Sequence, residues 1–343
     1  MKNLNLLNKF IFLINSVLAL LLLLSYGLSY VPPKSYALIS TLSLSVPLLI
    51  VLNILFTVYW LIKLKKQVLL SLLVLAVGYN HILSFYKFSS ESTPKSEDTF
   101  TLMSYNVRLF NLYDWIDDKT ISTKIQKFIS EESPNILCFQ EYDSSTDLDF
   151  KAYRYKHQTN PAKNNKSELA ILSTYKIIDS GFINFPNSAN SAIYADILIK
   201  SDTLRVYNVH LQSSGIDANV DVESLDKEQS NKLLNRLEIT FKAQQFQAER
   251  VANHVAKSPY KVLMCGDFNN TVFSYVYRIL KGDLLDAFET SGTGFGSTFD
   301  FKYFPVRIDF ILADQSFKVG TFKNYSVPYS DHFPIFTELT LHK

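Results

Sequence analysis

The stretch "KVLMCGDFNN", Lys261–Asn270, decides how the rest of the chain is read. Its apolar run Val262–Cys265 reads as a buried strand that turns sharply at Gly266, and Asp267, Asn269 and Asn270 follow at once. A carboxylate and two amides where a core strand surfaces admit two readings. One is an ordinary loop whose Asx residues cap a turn. The other is one wall of a polar site.

The neighbouring segments decide between them. "FTLMSYNV" reads as a strand ending at Asn106, and "NILCFQE" as another ending at Glu141. Between them, "ISTKIQKFISEESP" has helical spacing, with Ile121, Ile125, Phe128 and Ile129 on one face and a stop before Pro134. "ELAILSTY" follows, and then "AIYADILIK" and "TLRVYNVHLQS" form a hairpin pattern whose second arm ends at Asn208 and His210. A long helical stretch, roughly residues 227–256, leads into the opening segment. "RIDFILAD" carries Asp309 inside a strand, and "YSDHFPIFTELTL" sets Asp331 and His332 just before the last one. Six strands thus end or begin at a carboxylate, an Asn or a His. Polar residues that were merely solvated would scatter over exposed alternate positions, so the site reading prevails. Many strands mixed with at least two helices predict an α/β sandwich of stacked sheets covered by helices.

The first 88 residues have a different composition. Phe10–Tyr30 and Tyr36–Ile62 are apolar runs long enough to cross a bilayer core of about 30 Å, and Val68–Phe85 is a shorter third. No small-residue cleavage site follows the first run and another apolar run comes at once, which argues against a signal peptide. Lys2 and Lys9 precede the first run, and Lys63, Lys65 and Lys66 separate the second from the third. With the richer ends in the cytoplasm and three spans, everything after about residue 88 lies outside the cytoplasm; if Val68–Phe85 does not cross, the folded domain faces the cytoplasm instead. The expected organisation is a transmembrane segment of about three helices over residues 1–88, a Ser-rich linker with Pro94 over 89–99, and a folded domain over 100–343.

Charge follows the same division. Residues 1–99 hold eight Lys, no Arg and three acids, which leaves 26 basic and 29 acidic residues beyond them. A net of −3 on the folded part argues against a broad electrostatic grip on nucleic acid. The two cysteines, Cys138 and Cys265, sit inside apolar strands and read as small core residues rather than a disulfide framework.

In this order and spacing, "SYNVRLFN", "CFQEYD", "YNVHLQS", "CGDFNN", "RIDFIL" and "SDHFPI" resemble the endonuclease/exonuclease/phosphatase superfamily, whose members include DNase I-like nucleases, inositol polyphosphate 5-phosphatases and neutral sphingomyelinases. The likeness covers about residues 100–341. It implies a four-layered α/β sandwich and hydrolysis of a phosphoester by activated water with Mg²⁺, or Mn²⁺ in its place.

Such a reaction needs a cation at the phosphate, a base at the attacking water and donors for the developing charge. Mg²⁺ takes oxygen ligands, which points to Glu141 with Asn106 and Asp331 beside it. The resemblance makes Asp267 the residue that orients or deprotonates water and Asn269 a phosphate donor. His332 would bind or protonate the phosphate while Asp309 fixes its tautomer. His210 would be a second phosphate-facing imidazole that Asn208 supports, with Asn208 and Arg307 as substrate contacts, Arg307 equally well in a salt bridge, and Glu168 as a candidate support for His210. Thr298 and Arg307 stand in family-like contexts. Substrate-specific structure is expected in Ser213–Glu238, between two motifs. The expected substrate is a phosphoester: a lipid head group, a nucleic acid or a small molecule. A nuclease, or an inactive module that holds a phosphorylated ligand on a membrane tether, are the rival readings.

Overall fold

The computed structural model describes residues 4–89, 98–159, 168–216 and 226–341. Most of the expected linker, residues 90–97, and the middle of the specificity stretch, 217–225, lie outside the described residues.

Five helices open the chain: α1 (Leu6–Ser25), α2 (Pro33–Thr41), α3 (Val46–Ile62), α4 (Val68–Val77) and α5 (Tyr79–Phe85). Leu6–Tyr30 and Pro33–Ile62 are each long and apolar enough to cross a membrane. The third segment is not straight: α4 and α5 meet at Gly78 with a bend of 73°. The Tyr26 ring packs so tightly on Gly78 that a Cβ there would lie 2.0 Å from it, and the Tyr26 hydroxyl donates to Val74 O at 3.0 Å. At 1.5 Å per residue, α4 alone spans about 15 Å, half of a bilayer core.

Polar residues within the apolar helices form a buried network. Asn15 Nδ2 donates to Ser71 Oγ at 2.6 Å, Ser71 Oγ to Asn53 Oδ1 at 3.0 Å, and Trp60 Nε1 to Asn15 Oδ1 at 2.9 Å. With apolar surroundings these bonds have no water to compete with them, so they tie α1, α3 and α4 to one another.

The remainder is a four-layered α/β sandwich. Its elements are β1 (Thr99–Asn106), α6 (Ile121–Glu132), β2 (Ile136–Tyr142), β3 (Tyr155–Gln158), β4 (Glu168–Ser173), β5 (Lys176–Asn184), β6 (Ser191–Ile199), β7 (Asp202–His210), α7 (Lys227–Val255), β8 (Lys261–Asp267), α8 (Tyr275–Lys281), β9 (Leu285–Asp286), α9 (Ala287–Ser291), β10 (Asp309–Ala313), β11 (Phe317–Asn324) and β12 (Ile335–Leu341). One sheet has the order β11-β12-β1-β2-β4-β3 and the other β5-β6-β7-β8-β10-β9. Leu102, Ile136, Cys138 and Ile171 of the first face Ile193, Val206, Leu263 and Cys265 of the second in one dry core. Both cysteines are free and buried there, as expected. Alternate residues of the first sheet, such as Met103 and Phe139, pack under Ile121, Ile125, Phe128 and Ile129 of α6. Those of the second, such as Met264 and Phe310, pack under α7 and α8. Central strands buried on both faces explain the near-continuous apolar runs that made them legible.

Topology gathers the polar strand ends. β1 and β2 are parallel, as are β7 and β8, so Asn106 and Glu141 emerge from one sheet and His210 and Asp267 from the same end of the other. β12 and β10 run antiparallel to these pairs, so the start of β10, Asp309, pairs with Asp267, and His332 lies just before β12. In β8, Gly266 has φ +133° and pairs with Val209, and a Cβ there would come within 2.0 Å of Val209 O. Only glycine fits.

Gly266→Ala must therefore push β7 and β8 apart. The expected outcome is a loss on the order of 3 kcal/mol, or a chain that does not fold, read by thermal melting of the purified full-length protein. A melting temperature equal to the parent's would contradict this account of the turn.

Candidate functional site

A β-bulge aims Glu141. Between Phe139 and Tyr142, β2 holds one residue more than its partner β4, and Glu141 takes the left-handed φ of +49°. The bulge is braced from the opposite sheet. Asn208, fully buried, donates through Nδ2 to Phe139 O at 2.7 Å and Ala170 O at 3.0 Å, and its Oδ1 accepts from Gln140 Nε2 at 2.7 Å. Asn208 was expected at the substrate; its amide is instead spent in the core beneath Glu141.

Asp267 stands at the centre. Its Oδ1 accepts from Asn269 N at 2.8 Å, which is the Asx turn of the loop reading. Its Oδ2 accepts from Asn106 Nδ2 at 3.1 Å and lies 3.6 Å from Nε2 of both His210 and His332. The two readings of "GDFNN" thus divide between the two oxygens of one carboxylate. Burial, with the Asp309 carboxylate adding to it, raises the Asp267 pKa to about 6.

The imidazoles are held in opposite states. Burial lowers the pKa of His210, whose Nε2 is a buried atom with no hydrogen-bond partner. Burial acts the same way on His332, but the carboxylates of Asp309 and Asp267 outweigh it and raise that ring to about 10. His332 Nδ1 lies 2.9 Å from Asp309 Oδ2. Thr298 Oγ1 accepts from the backbone N–H groups of both Ile308 and Asp309, which fixes the start of β10.

Asn269 sits at φ +50°, and Gln244 of α7 donates to its carbonyl at 3.0 Å while accepting from Asn270 Nδ2 at 2.8 Å. One amide hydrogen of Asn269 goes to Leu211 O at 3.0 Å, which leaves the second for a ligand. Glu168 accepts from Ser144 Oγ at 2.6 Å. Arg307 ion-pairs with Asp286 at 2.7 Å and donates to Ser84 O at 3.1 Å, so its terminal nitrogens serve the junction with α5.

Two residues at the site escaped the sequence reading. Arg108 lies 3.3 Å from Asp331 Oδ2 and 4.7 Å from the Trp115 ring centre, in a run of left-handed residues from Arg108 to Asn111. Its signal was a basic residue two places after Asn106. Gln244 carried none, because a Gln on the inner face of a helix looks like any other polar position.

Two groups of side chains could take a cation. Asp267, Asp309 and His332 each bring a ligand atom within 4.8 Å of the others. Their donors, however, already satisfy one another, as in the 2.9 Å contact between His332 and Asp309. Glu141 is different: burial raises its pKa and the nearby Asp331 carboxylate raises it further. A divalent cation among these oxygens relieves that repulsion, and hard oxygen donors suit such an ion. The residues present fit a divalent metal.

Two family models match the chain. One, described as a domain of unknown function, covers residues 8–85; the other, the Endonuclease/Exonuclease/phosphatase family, covers residues 103–332. No curated protein matches the chain. Similar solved structures include an endonuclease/exonuclease/phosphatase family protein from Bacteroides thetaiotaomicron, at 19% identity over 73% of this chain and 100% of that one, with a TM-score of 0.54. The human Nocturnin catalytic domain with bound sulfate anion matches at 16% identity over 74% and 97%, with a TM-score of 0.52. D. rerio TDP2 complexed with single strand DNA product matches at 15% over 71% and 100%, with a TM-score of 0.51. At such identities the structures speak for the fold, while the family model spans two thirds of the sequence: the chain belongs to the endonuclease/exonuclease/phosphatase family.

Proposed function

We propose that the protein is a membrane-anchored, Mg²⁺-dependent phosphoesterase in which water attacks a phosphodiester or phosphomonoester. The observation that carries this reading is Asp267 Oδ2, a buried carboxylate oxygen set 3.6 Å from one neutral and one protonated imidazole.

Glu141, Asn106 and Asp331 would hold the metal, which when bound offsets the negative charge of the phosphate. Asp267, with a pKa near 6, takes a proton from the attacking water at neutral pH. Asn106 and the Asx turn fix its two oxygens before the water arrives. His332, kept protonated by Asp309, donates to a phosphate oxygen, and Asn269 donates to another. His210 faces the same phosphate as a neutral imidazole. Water adds its oxygen to phosphorus, one P–O ester bond breaks, and the leaving oxygen takes up a proton. Arg108 is an additional anion contact.

The membrane reading rests on the two long apolar helices and on lysine placement. Ser29 O accepts from Arg278 Nε at 2.8 Å and Lys34 N donates to Gln245 Oε1 at 2.7 Å, so the α1–α2 connection lies against the sandwich. The 17 residues of α3 then carry the chain about 25 Å away to Lys63, Lys65 and Lys66. By the excess of lysine at that far end, the sandwich lies outside the cytoplasm. An alkaline phosphatase that works only outside the cytoplasm, fused after Lys343, is expected to be active; an inactive fusion made in full would reverse the orientation.

Hydrolysis of bis(p-nitrophenyl) phosphate by the full-length protein should require Mg²⁺ or Mn²⁺ and stop with EDTA. Glu141→Gln should abolish it with little change in melting temperature, and near-normal turnover would remove Glu141 from the metal site. Asp267→Asn keeps the shape and the Asx turn but loses the base, so kcat should fall about 10²–10⁴-fold with KM largely kept. A lowered melting point with kcat intact would reduce the segment to a turn.

Asn208→Ala should act through the bulge instead. Two buried carbonyls lose their donor, which costs roughly 2 kcal/mol of stability. The half-saturating Mg²⁺ concentration should rise while KM at saturating metal stays put. A rise in KM alone would restore Asn208 to the substrate.

A further inference from the structure

The catalytic groups lie in a cavity of about 420 Å³ whose walls are not those of a nucleic-acid groove. Glu141, Asp267, Asn269, Asp331 and His332 form part of its lining. Much of the remaining lining is apolar, with Phe241 of α7 and the loop residues Phe295, Phe301 and Phe304. Leu44, Pro47 and Phe85 line it as well, and all three come from the N-terminal helical segment. Pro47 stands in the first turn of α3, inside the apolar stretch Pro33–Ile62 that is long enough to cross a membrane. The same cavity is therefore lined both by the reactive carboxylate and by the first turn of a lipid-compatible helix.

We propose, resting on the phosphoesterase reading, that the substrate is a membrane lipid phosphoester whose phosphate meets Asn269 and His332 while its hydrocarbon tail lies along Phe295, Phe301 and Phe304 toward Leu44 and Pro47.

Three observations favour this occupant. First, the lining includes Leu44 and Pro47 of a candidate span together with several phenylalanines, so a tail beside α3 has apolar side chains to follow into the cavity that holds the catalytic groups. Second, Phe295 and Phe304 are 44% and 43% exposed, and Phe295 packs edge-on against Phe85 and Tyr86 of the helical segment. Large exposed rings beside a site mark where an apolar ligand is received. Third, the charge is wrong for a polyanion. Among the described residues lining the cavity there is no lysine, Arg307 is held by Asp286 and Ser84 O, and Arg108 faces Asp331. A nucleic acid binds mainly through phosphates along its backbone, and beyond Arg108 and the catalytic groups this wall offers them no free basic side chain.

The test uses the full-length protein in mixed micelles with methyl, octyl and hexadecyl p-nitrophenyl phosphate, together with single-stranded and duplex DNA. Each methylene buried adds up to about four-fold in affinity, so kcat/KM should rise at least about 100-fold from methyl to hexadecyl. Phe304→Asp and Phe295→Asp place a charge in the tail's path at exposed positions that tolerate it, and each should cut that hexadecyl-to-methyl ratio at least about ten-fold. A ratio near one, with the methyl ester turned over, overturns the lipid proposal and leaves the phosphoesterase reading standing. Preferred cleavage of DNA with a flat ester series likewise overturns it in favour of a nuclease. No turnover of any phosphoester with Mg²⁺ or Mn²⁺ overturns the underlying reading and this one with it.

Discussion

The contact between Val209 and Gly266 is where the two halves of the site are brought into register. Parallel pairing of β7 and β8 at this point leaves no space for a side chain, and the next pair along is His210 with Asp267. Antiparallel β10 then sets Asp309 opposite the same Asp267. Three ionisable groups are thus placed by backbone hydrogen bonds rather than by loops. Because the strands are buried on both faces, the register cannot slip by one residue without turning a whole core face around. The accuracy of the site is a by-product of the core.

A second device works across the sandwich. Asn208 belongs to one sheet and bonds to the backbone of the other at the bulge that aims Glu141. Gln140 adds a bond to Ser104 Oγ at 3.1 Å, so the bulge is held from both sides. Left-handed backbone at Glu141, Arg108 and Asn269 marks the places where side chains are turned toward the cavity at a local cost. Opposed protonation of His210 and His332 arises from the same packing: one ring has carboxylates on both nitrogens, the other meets burial with less compensation.

What the sequence made legible follows from these physics. Central strands announce themselves because both faces are apolar, and their polar terminal residues stand out against that background. Edge strands do not: β3 and β5 are half solvated, and β11 carries Lys318 and Lys323, so none was separable from loop. Asn208 and Arg307 looked like ligand contacts because polar residues near a motif invite that reading. Their true partners, the Phe139 carbonyl and Asp286, lie 69 and 21 residues away and leave no local trace. The bend at Gly78 was equally hidden, since it depends on Tyr26 from another helix.

The junction between the helical segment and the sandwich is held by charged and polar groups rather than by a tether. Arg307 is buried between Asp286 and the Ser84 carbonyl, Ser84 Oγ bonds Glu289 at 2.5 Å, and Lys87 pairs with Gly294 through the backbone. A domain on a flexible leash samples many heights and tilts. One clamped in this way keeps a single stand-off from its helices; on the proposed membrane-bound, phosphoester-cleaving reading, the reactive carboxylate would then be a depth gauge, reaching phosphorus at one altitude and passing over bonds lying higher or lower.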